Sequence, residues 1–456
     1  MYKLYDYQKE LIVKARNEFS NGNKAVLIVS PAGSGKSVII SELARLTTMK
    51  GGRVLFFVHR KELVDQITSS FEKDGVDLTK CTLMTVGKVA HRLQTIPKPN
   101  LIICDEAHHS LAKTYKKIYD YYSDVPRLGF TATLWRMNGQ GFQDVYSKVI
   151  EGPTVQWLID HKRLAPYNYY SVDLIDTNVL KKASTGDYTT ESMDEAFGKT
   201  IYGDAVKMYK EKVFGQKAIL YAYNVRSSKA IANAFNKAGI PAEHADSKTR
   251  KEERERIMND FKNGKIKILC GVDLYGEGIN ITDCSVAIML RPTASLSLDI
   301  QQMMRCMRYV PGKKATIIDH VGNYLKHGLP TEPHNWTLEG SKKGSKKGSS
   351  EAVKSVTVCP KCFMTFYRTK DECPYCGTTL TEEKELEVVD NVELEKVKEE
   401  RLRKAHMIMK NGLAAKVADK KPNDLRNMEE IKAYAKFKNF KKGWIYFYGK
   451  KRGFIK

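Results

Sequence analysis

The chain contains no stretch of eighteen apolar residues, and its N-terminus lacks a charged segment followed by an apolar one. A membrane-spanning helix and a secretory signal are therefore not expected, and the reading is of an intracellular, soluble protein without a membrane partner. Acid is also scarce. Against 76 Lys and Arg stand 53 Asp and Glu, a formal net charge of +23, and no acid follows Glu430. Such a balance either aids solubility or marks a polyanionic partner. At 456 residues the chain is long enough for two to four domains with real cores.

Cysteine is sparse and unevenly placed. Five of the nine (Cys81, Cys104, Cys270, Cys284, Cys306) sit in apolar or mixed segments and read as buried thiols. The other four form two Cys-x₂-Cys knuckles, Cys359-Pro-Lys-Cys362 and Cys373-Pro-Tyr-Cys376, ten residues apart and followed by Gly377. This spacing suits tetrahedral Zn²⁺ thiolate ligation with no open position, hence a structural site; a disulfide pair is the alternative.

What is present in quantity is alternation. Up to about residue 165, buried-strand runs (Val26–Val29, Val54–Val58, Leu101–Cys104, Arg127–Phe130) alternate with helical stretches, and a second such set starts near Pro166. The expected fold class is α/β, with two tandem parallel-sheet domains separated by a cleft. The domain divisions read as 1–165, 166–335, a basic Gly/Ser/Lys linker over 336–352, the cysteine module over 353–380, and 381–456 as a charged helical spacer followed by a basic aromatic region. In that last region Lys and Arg interleave with Tyr434, Phe437, Phe440, Trp444, Tyr446, Phe447, Tyr448 and Phe454. Lys441, Lys442 and Trp444 are its candidate single-strand contacts; a packed β-hairpin with a basic rim is an equal reading, and both can hold.

Two strings carry chemistry. Ser30-Pro31-Ala32-Gly33-Ser34-Gly35-Lys36-Ser37 follows the run Ala25–Val29 and precedes a helix. Without Cβ groups at Gly33 and Gly35, backbone N–H groups around Ser34 can face phosphate oxygens at a helix N-terminus. Lys36 would reach the β- and γ-phosphates and Ser37 would ligate Mg²⁺; an ordinary glycine turn is the bland alternative. Asp105-Glu106-Ala107-His108 follows the second run, Leu101–Cys104, placing two acids at a strand mouth where ligands bind in open α/β sheets. Asp105 would hold the Mg²⁺ shell and Glu106 would orient or deprotonate the attacking water, although Asp-Glu pairs are also common helix-start charges. The pair of strings points to hydrolysis of a nucleoside triphosphate.

Over roughly residues 1–325 the motifs and their order resemble superfamily 2 helicases of the DEAH-containing, restriction-subunit-like kind common in bacteria and their phages, with two RecA-like domains. In that resemblance Tyr7-Gln8 is similar to the Q motif, with Gln8 selecting the adenine of ATP. Val58–Gln66 is similar to motif Ia, with Arg60 facing a nucleic-acid backbone, and Thr85-Val86-Gly87 to motif Ib. Thr131-Ala132-Thr133 is similar to motif III, followed here by Leu134 where proline is usual. Gly276–Asn280 occupies the place of motif V, with Gly278 and Asn280 near the nucleotide and Gly276 and Asn280 replacing the usual Thr and Asp. Gln301–Arg308 is similar to motif VI, with Met304 in place of glycine and Arg305 and Arg308 as arginine fingers.

The resemblance implies an ATP- and Mg²⁺-dependent DNA helicase or translocase, with a zinc ribbon, serving phage or bacterial replication or recombination, with proteins of those processes as candidate partners and the cytoplasm of a bacterial or phage-infected cell as its place. An RNA helicase or remodeller and the motor subunit of a restriction nuclease are the alternatives. Residues 340–456 hold no carboxylate-plus-lysine constellation of a nuclease. A binding module with a vestigial NTPase is a further reading.

Overall fold

The computed structural model describes residues 1–134, 141–171, 179–183, 186–196, 201–272, 283–334, 336–339 and 356–380, and then 422, 425, 427–437, 440, 442–452 and 454, with the side chains of 201–204, 436, 437 and 442 excepted. Two units divide the chain, Met1–Thr381 and Glu382–Lys456.

The first unit opens with α1 (Asp6–Ser20), β1 (Ala25–Val29), α2 (Lys36–Met49), β2 (Val54–Val58), α3 (Lys61–Asp74), β3 (Cys81–Thr85), α4 (Val86–His91), β4 (Leu101–Cys104), α5 (Lys113–Tyr121), β5 (Arg127–Thr131), β6 (Lys148–Glu151) and α6 (Val155–Asp160). Its six strands run parallel in the order β3-β2-β4-β5-β1-β6. β1, β2 and β4 are buried along their whole length, as a sheet covered by helices on both faces requires. Because β1 and β4 are parallel, the phosphate-loop string and the Asp105-Glu106 string leave the same edge of the sheet.

A second sheet follows, from β7 (Tyr167–Ser171), α7 (Thr190–Ala196), α8 (Ile201–Val213), β8 (Ala218–Ala222), α9 (Val225–Lys237), β9 (Ala242–Ala245), α10 (Lys251–Lys262), β10 (Ile268–Gly271), β11 (Val286–Leu290), α11 (Leu296–Met304), β12 (Ala315–Asp319) and α12 (Tyr324–His327). It too is parallel, in the order β7-β12-β11-β8-β10-β9. Caps set its helix starts: Asn224 accepts from Ser227 N at 2.7 Å to begin α9, and Ser295 accepts from Leu298 N at 3.3 Å to begin α11. One buried cluster runs from Val26 and Phe130 under the first sheet through Leu164 to Met304 and Met307. The two sheets are thus packed against each other around that segment.

A two-stranded hairpin, β13 (Val356–Val358) with β14 (Thr365–Tyr367), carries the first cysteine knuckle. It sits on the edge of the second sheet, where Tyr170 of β7 bridges to Met364 and Ser171 N donates to Phe363 O at 3.2 Å. The linker stretch 340–350 and the charged stretch 382–411 lie outside the described residues.

The second unit contains α13 (Met428–Phe437) and α14 (Lys442–Lys451). These helices replace the β-hairpin that the dense aromatics suggest. Ile431, Tyr434 and Ala435 recur at helical spacing and are buried, and Trp444 and Tyr448, four apart on α14, pack with Ile431 and Tyr434.

Candidate active site and zinc centre

The phosphate loop is built by its glycines. Gly33 and Gly35 sit at φ +84 and +80, a region closed to most L-residues. A Cβ on Gly35 would lie 2.5 Å from Gln8 Nε2, and one on Gly33 would lie 2.9 Å from Leu164 Cδ2. The loop is also held from below. Tyr7 Oη donates to Ser34 O at 2.6 Å, and Ser30 Oγ donates to Ser34 Oγ at 2.7 Å. Burial pushes the Tyr7 phenol up to about 12, so it remains a donor at neutral pH.

Gln8 is buried, its Oε1 accepting from Tyr5 N at 2.9 Å while Nε2 lies 3.5 Å from both Ser34 O and Gly35 O. The structure therefore places Gln8 against the loop backbone. Lys36 begins α2 and turns its ammonium onto Ser30 O at 3.1 Å and Pro31 O at 3.4 Å. A lysine ammonium whose hydrogen bonds go to the neutral carbonyls of Ser30 and Pro31, at the start of a helix, fits an anion. The Ser37 hydroxyl and the Asp105 carboxylate are oxygen donors of the kind Mg²⁺ takes.

Glu106 adopts φ +50, a costly backbone for a side-chain-bearing residue and one common at functional positions. Its Oε2 is 3.3 Å from His108 Nδ1, which is also 3.2 Å from Thr131 Oγ1 at the end of β5. Thr131 Oγ1 in turn donates to Thr133 O at 2.8 Å. The His108 ring packs at a tilt against His109 with centroids 4.1 Å apart, and the His109 ring lies 4.6 Å from that of His59, the residue before Arg60.

A cleft of about 620 Å³ brings Lys36, Ser37, Asp105 and Glu106 of the first sheet together with Arg305 and Arg308 of the second. Both arginines follow α11, and Leu164, beside the phosphate loop, makes a β-bridge with Arg308. Burial and the neighbouring Arg305 lower Arg308 to about 10, so its guanidinium is still charged at neutral pH and can meet an anion in the cleft. Arg60 stands at the N-cap of α3 and Thr85 at the N-cap of α4, both at the C-terminal edge of the first sheet and outside this cleft's walls. Gly278, Asn280 and Arg136 lie outside the described residues, as does Lys441 and the side chain of Lys442. Trp444 is half-buried, stacked on Tyr448 with centroids 4.7 Å apart and against Phe440 at the same distance.

The four clustered sulfurs lie within 4.8 Å of one another. Cys359 Sγ and Cys376 Sγ are 3.6 Å apart, and Cys362 Sγ and Cys373 Sγ 3.7 Å apart. A disulfide requires about 2.05 Å; tetrahedral Zn–S bonds of about 2.3 Å separate sulfurs by about 3.8 Å. The geometry fits the metal. In each knuckle the residue after the second cysteine is left-handed, Phe363 at φ +62 and Gly377 at φ +70, and returns its N–H to the first cysteine's carbonyl at 2.9 Å. No described helix is long and apolar enough to cross a membrane.

A strand-loop-lysine cradle, a strand-end acid pair and two arginines facing them from a second parallel sheet define a two-domain nucleoside triphosphatase of the helicase kind. Comparison with known proteins agrees. The type III restriction enzyme res subunit model matches residues 1–92 and 79–136, and the helicase conserved C-terminal domain model matches 202–310. The chain is 49% identical over 380 residues to the "51.5 kDa protein" of Lactococcus phage (isolate 7-9), covering 83% of each. It is 27% identical to the Saccharomyces cerevisiae protein named "Putative ATP-dependent helicase IRC3", over 70% of this chain and 51% of that one. Among solved structures, a fragment of a "putative HsdR subunit of a type I restriction enzyme" from Vibrio vulnificus YJ016 shares the fold, with TM-score 0.55 at 19% identity, over 71% of this chain and 66% of that one. The "ATP-dependent Type ISP restriction-modification enzyme LlaBIII bound to DNA" does so with TM-score 0.52 at 17% identity, over 70% of this chain and 28% of that one. The chain belongs to the restriction-subunit-like superfamily 2 helicases, ATP-dependent enzymes with two RecA-like domains.

Proposed function

We propose that this protein is a DNA translocase or helicase that moves along a strand by opening and closing the cleft between its two sheets. The observation that carries the reading is that one cleft gathers Lys36, Ser37, Asp105, Glu106, Arg305 and Arg308 from both sheets. Lys36 and the loop amides bind the β- and γ-phosphates, and Gln8, buried against Ser34 O and Gly35 O, braces that loop rather than meeting the adenine edge. Glu106 orients and deprotonates the attacking water, while Arg305 and Arg308 stabilise the charge that develops on the transferred phosphoryl group. Ser37 and Asp105 would hold Mg²⁺, which would neutralise charge on the phosphate oxygens. By the motif resemblance, Gly278 and Asn280 are candidate nucleotide contacts.

ATP completes the cleft by giving Arg305 and Arg308 a γ-phosphate to bind across it, and loss of that phosphate removes the contact. Closure thus depends on differential binding of the triphosphate by the closed state. With Arg60 and Thr85 holding the backbone on the first domain, each cycle becomes a step. The formal charge of +23 and the fold shared with a restriction-modification enzyme solved on DNA support DNA as the track, and the phage relative supports a phage-infected bacterial cytoplasm as its place; replication or recombination is the process such a motor would serve. Cys359, Cys362, Cys373 and Cys376 would hold Zn²⁺ in a structural site, since four thiolates leave no open position.

ATP hydrolysis with single-stranded DNA, duplex DNA or RNA of equal length tests this. The expected result is stimulation by DNA that Lys36→Ala or Glu106→Gln lowers by about a hundredfold or more. Turnover indifferent to every nucleic acid would overturn the motor reading, and response to RNA alone would replace DNA by RNA.

A further inference from the structure

The second unit has rings of two kinds. Tyr434, Trp444 and Tyr448 pack with Ile431 and Leu425 on the inside of the helix pair, Trp444 stacked on Tyr448 with centroids 4.7 Å apart, while Phe440, 43% exposed, tilts against Tyr434 and Trp444 at the edge of that cluster. Tyr446 and Phe447 do not join them. On α14 they are 57% and 71% exposed. Helical spacing puts Tyr446 above Lys450 and Phe447 above Lys451, and all four residues are exposed. The fold therefore uses Trp444 and leaves a different pair of rings outside, each with a cation one turn away.

We propose that this outer face of α14, formed by Tyr446, Phe447, Lys450 and Lys451, binds single-stranded nucleic acid. Two large exposed rings side by side need a partner with flat apolar surfaces, and the surrounding charge selects which kind. From Ile431 to Lys456 the chain holds Lys and Arg but no Asp or Glu. A protein groove with a basic rim would be repelled and one with a neutral rim would leave the lysines unpaired, whereas a single strand offers unstacked bases for the rings and phosphates for the two lysines. A duplex offers the phosphates but keeps its bases stacked on each other. The surface gives a motor a second grip that is independent of ATP. The inference rests on the nucleic-acid motor reading, and its test is independent of turnover.

The test is binding of a fluorescein-labelled oligothymidylate and of a duplex of equal length to the full chain carrying Lys36→Ala, without ATP. Tyr446→Ala with Phe447→Ala is expected to weaken single-strand binding by about tenfold or more and duplex binding by less than about twofold, since each stacked base contributes on the order of fivefold or more. Phe447→Tyr keeps a ring and is expected to keep the affinity. Replacing Lys450 and Lys451 by Gln is expected to reduce the slope of log affinity against log salt by about 1.4. Because the rings are exposed, the thermal midpoint is expected to stay put; Trp444→Ala, which opens the helix pair, lowers it and serves as the unfolding control. Unchanged single-strand binding in the double variant overturns the proposal, while DNA-stimulated hydrolysis in the chain with Lys36 intact leaves the motor reading standing. Equal losses on single strand and duplex also overturn it, because they would reduce the face to a charge patch.

Discussion

Thr133 Oγ1 donates to Ser297 Oγ across 2.8 Å, joining the end of β5 in the first sheet to the first turn of α11 in the second. The same helix leads to Arg305 and Arg308. On the other side, Thr133 N donates to Thr131 Oγ1 at 3.2 Å, and that oxygen lies 3.2 Å from His108, the neighbour of Glu106. A continuous polar chain thus runs from the Glu106 carboxylate to the helix that leads to the arginines.

Breaking this chain should uncouple closure from chemistry without emptying the nucleotide site. Thr133→Val and Ser297→Ala are each expected to lower nucleic-acid-stimulated kcat by about five- to twentyfold with little change in the KM for ATP, because neither side chain lines the cleft. If the hydrogen bond is the shared cause, the double variant is no worse than the more damaging single one. Full additivity of the two losses would show that the residues act separately.

The zinc module has a mechanical consequence. Phe363 O and Met364 tie it to Ser171 and Tyr170 at the edge of β7, and the chain just before β7 supplies Ala165 N to Met307 O at 2.8 Å and the Leu164 bridge to Arg308. Chelation or Cys373→Ser is expected to release one zinc per chain, measured by elemental analysis, and to lower the thermal midpoint while most helical signal remains. β7 keeps its pairing to β12, so the loss is local. A metal-free chain with an unchanged midpoint would contradict the buttress.

Much of this was legible locally. Val54–Val58, Leu101–Cys104 and Val286–Leu290 are unbroken apolar runs, and strands buried on both faces have to look that way. The Gly-Lys-Ser and Asp-Glu strings, and the cysteine spacing, are chemistry written in adjacent residues. Edge strands carry no such signal. Tyr167–Ser171, Lys148–Glu151 and Ala242–Ala245 are mixed in polarity because one side of each is only partly covered. Nor does the sequence announce that Thr133 meets Ser297, 164 positions away. In the C-terminal region ring density favours a strand reading, and only the spacing of Ile431, Tyr434 and Ala435 marks the helix; which rings face out is decided by the pairing of α13 with α14.

His320, at the end of β12, is fully buried, with neither ring nitrogen hydrogen-bonded, and burial pushes it down to about 4 from an ordinary 6.5. The folded protein therefore holds it neutral, while the unfolded chain takes up a proton once the pH falls below about 6.5. Stability is unaffected above that value and is lost as the pH drops toward about 4, with the unfolded state binding more protons throughout the interval. At pH 5 the loss amounts to roughly 2 kcal/mol from this residue alone. His320→Leu removes the titration while keeping an apolar filling. Thermal midpoints measured between about pH 7.5 and pH 5 should therefore fall less steeply for the variant than for the native chain, with other titrating groups common to both. Parallel curves would assign the acid sensitivity to groups other than His320.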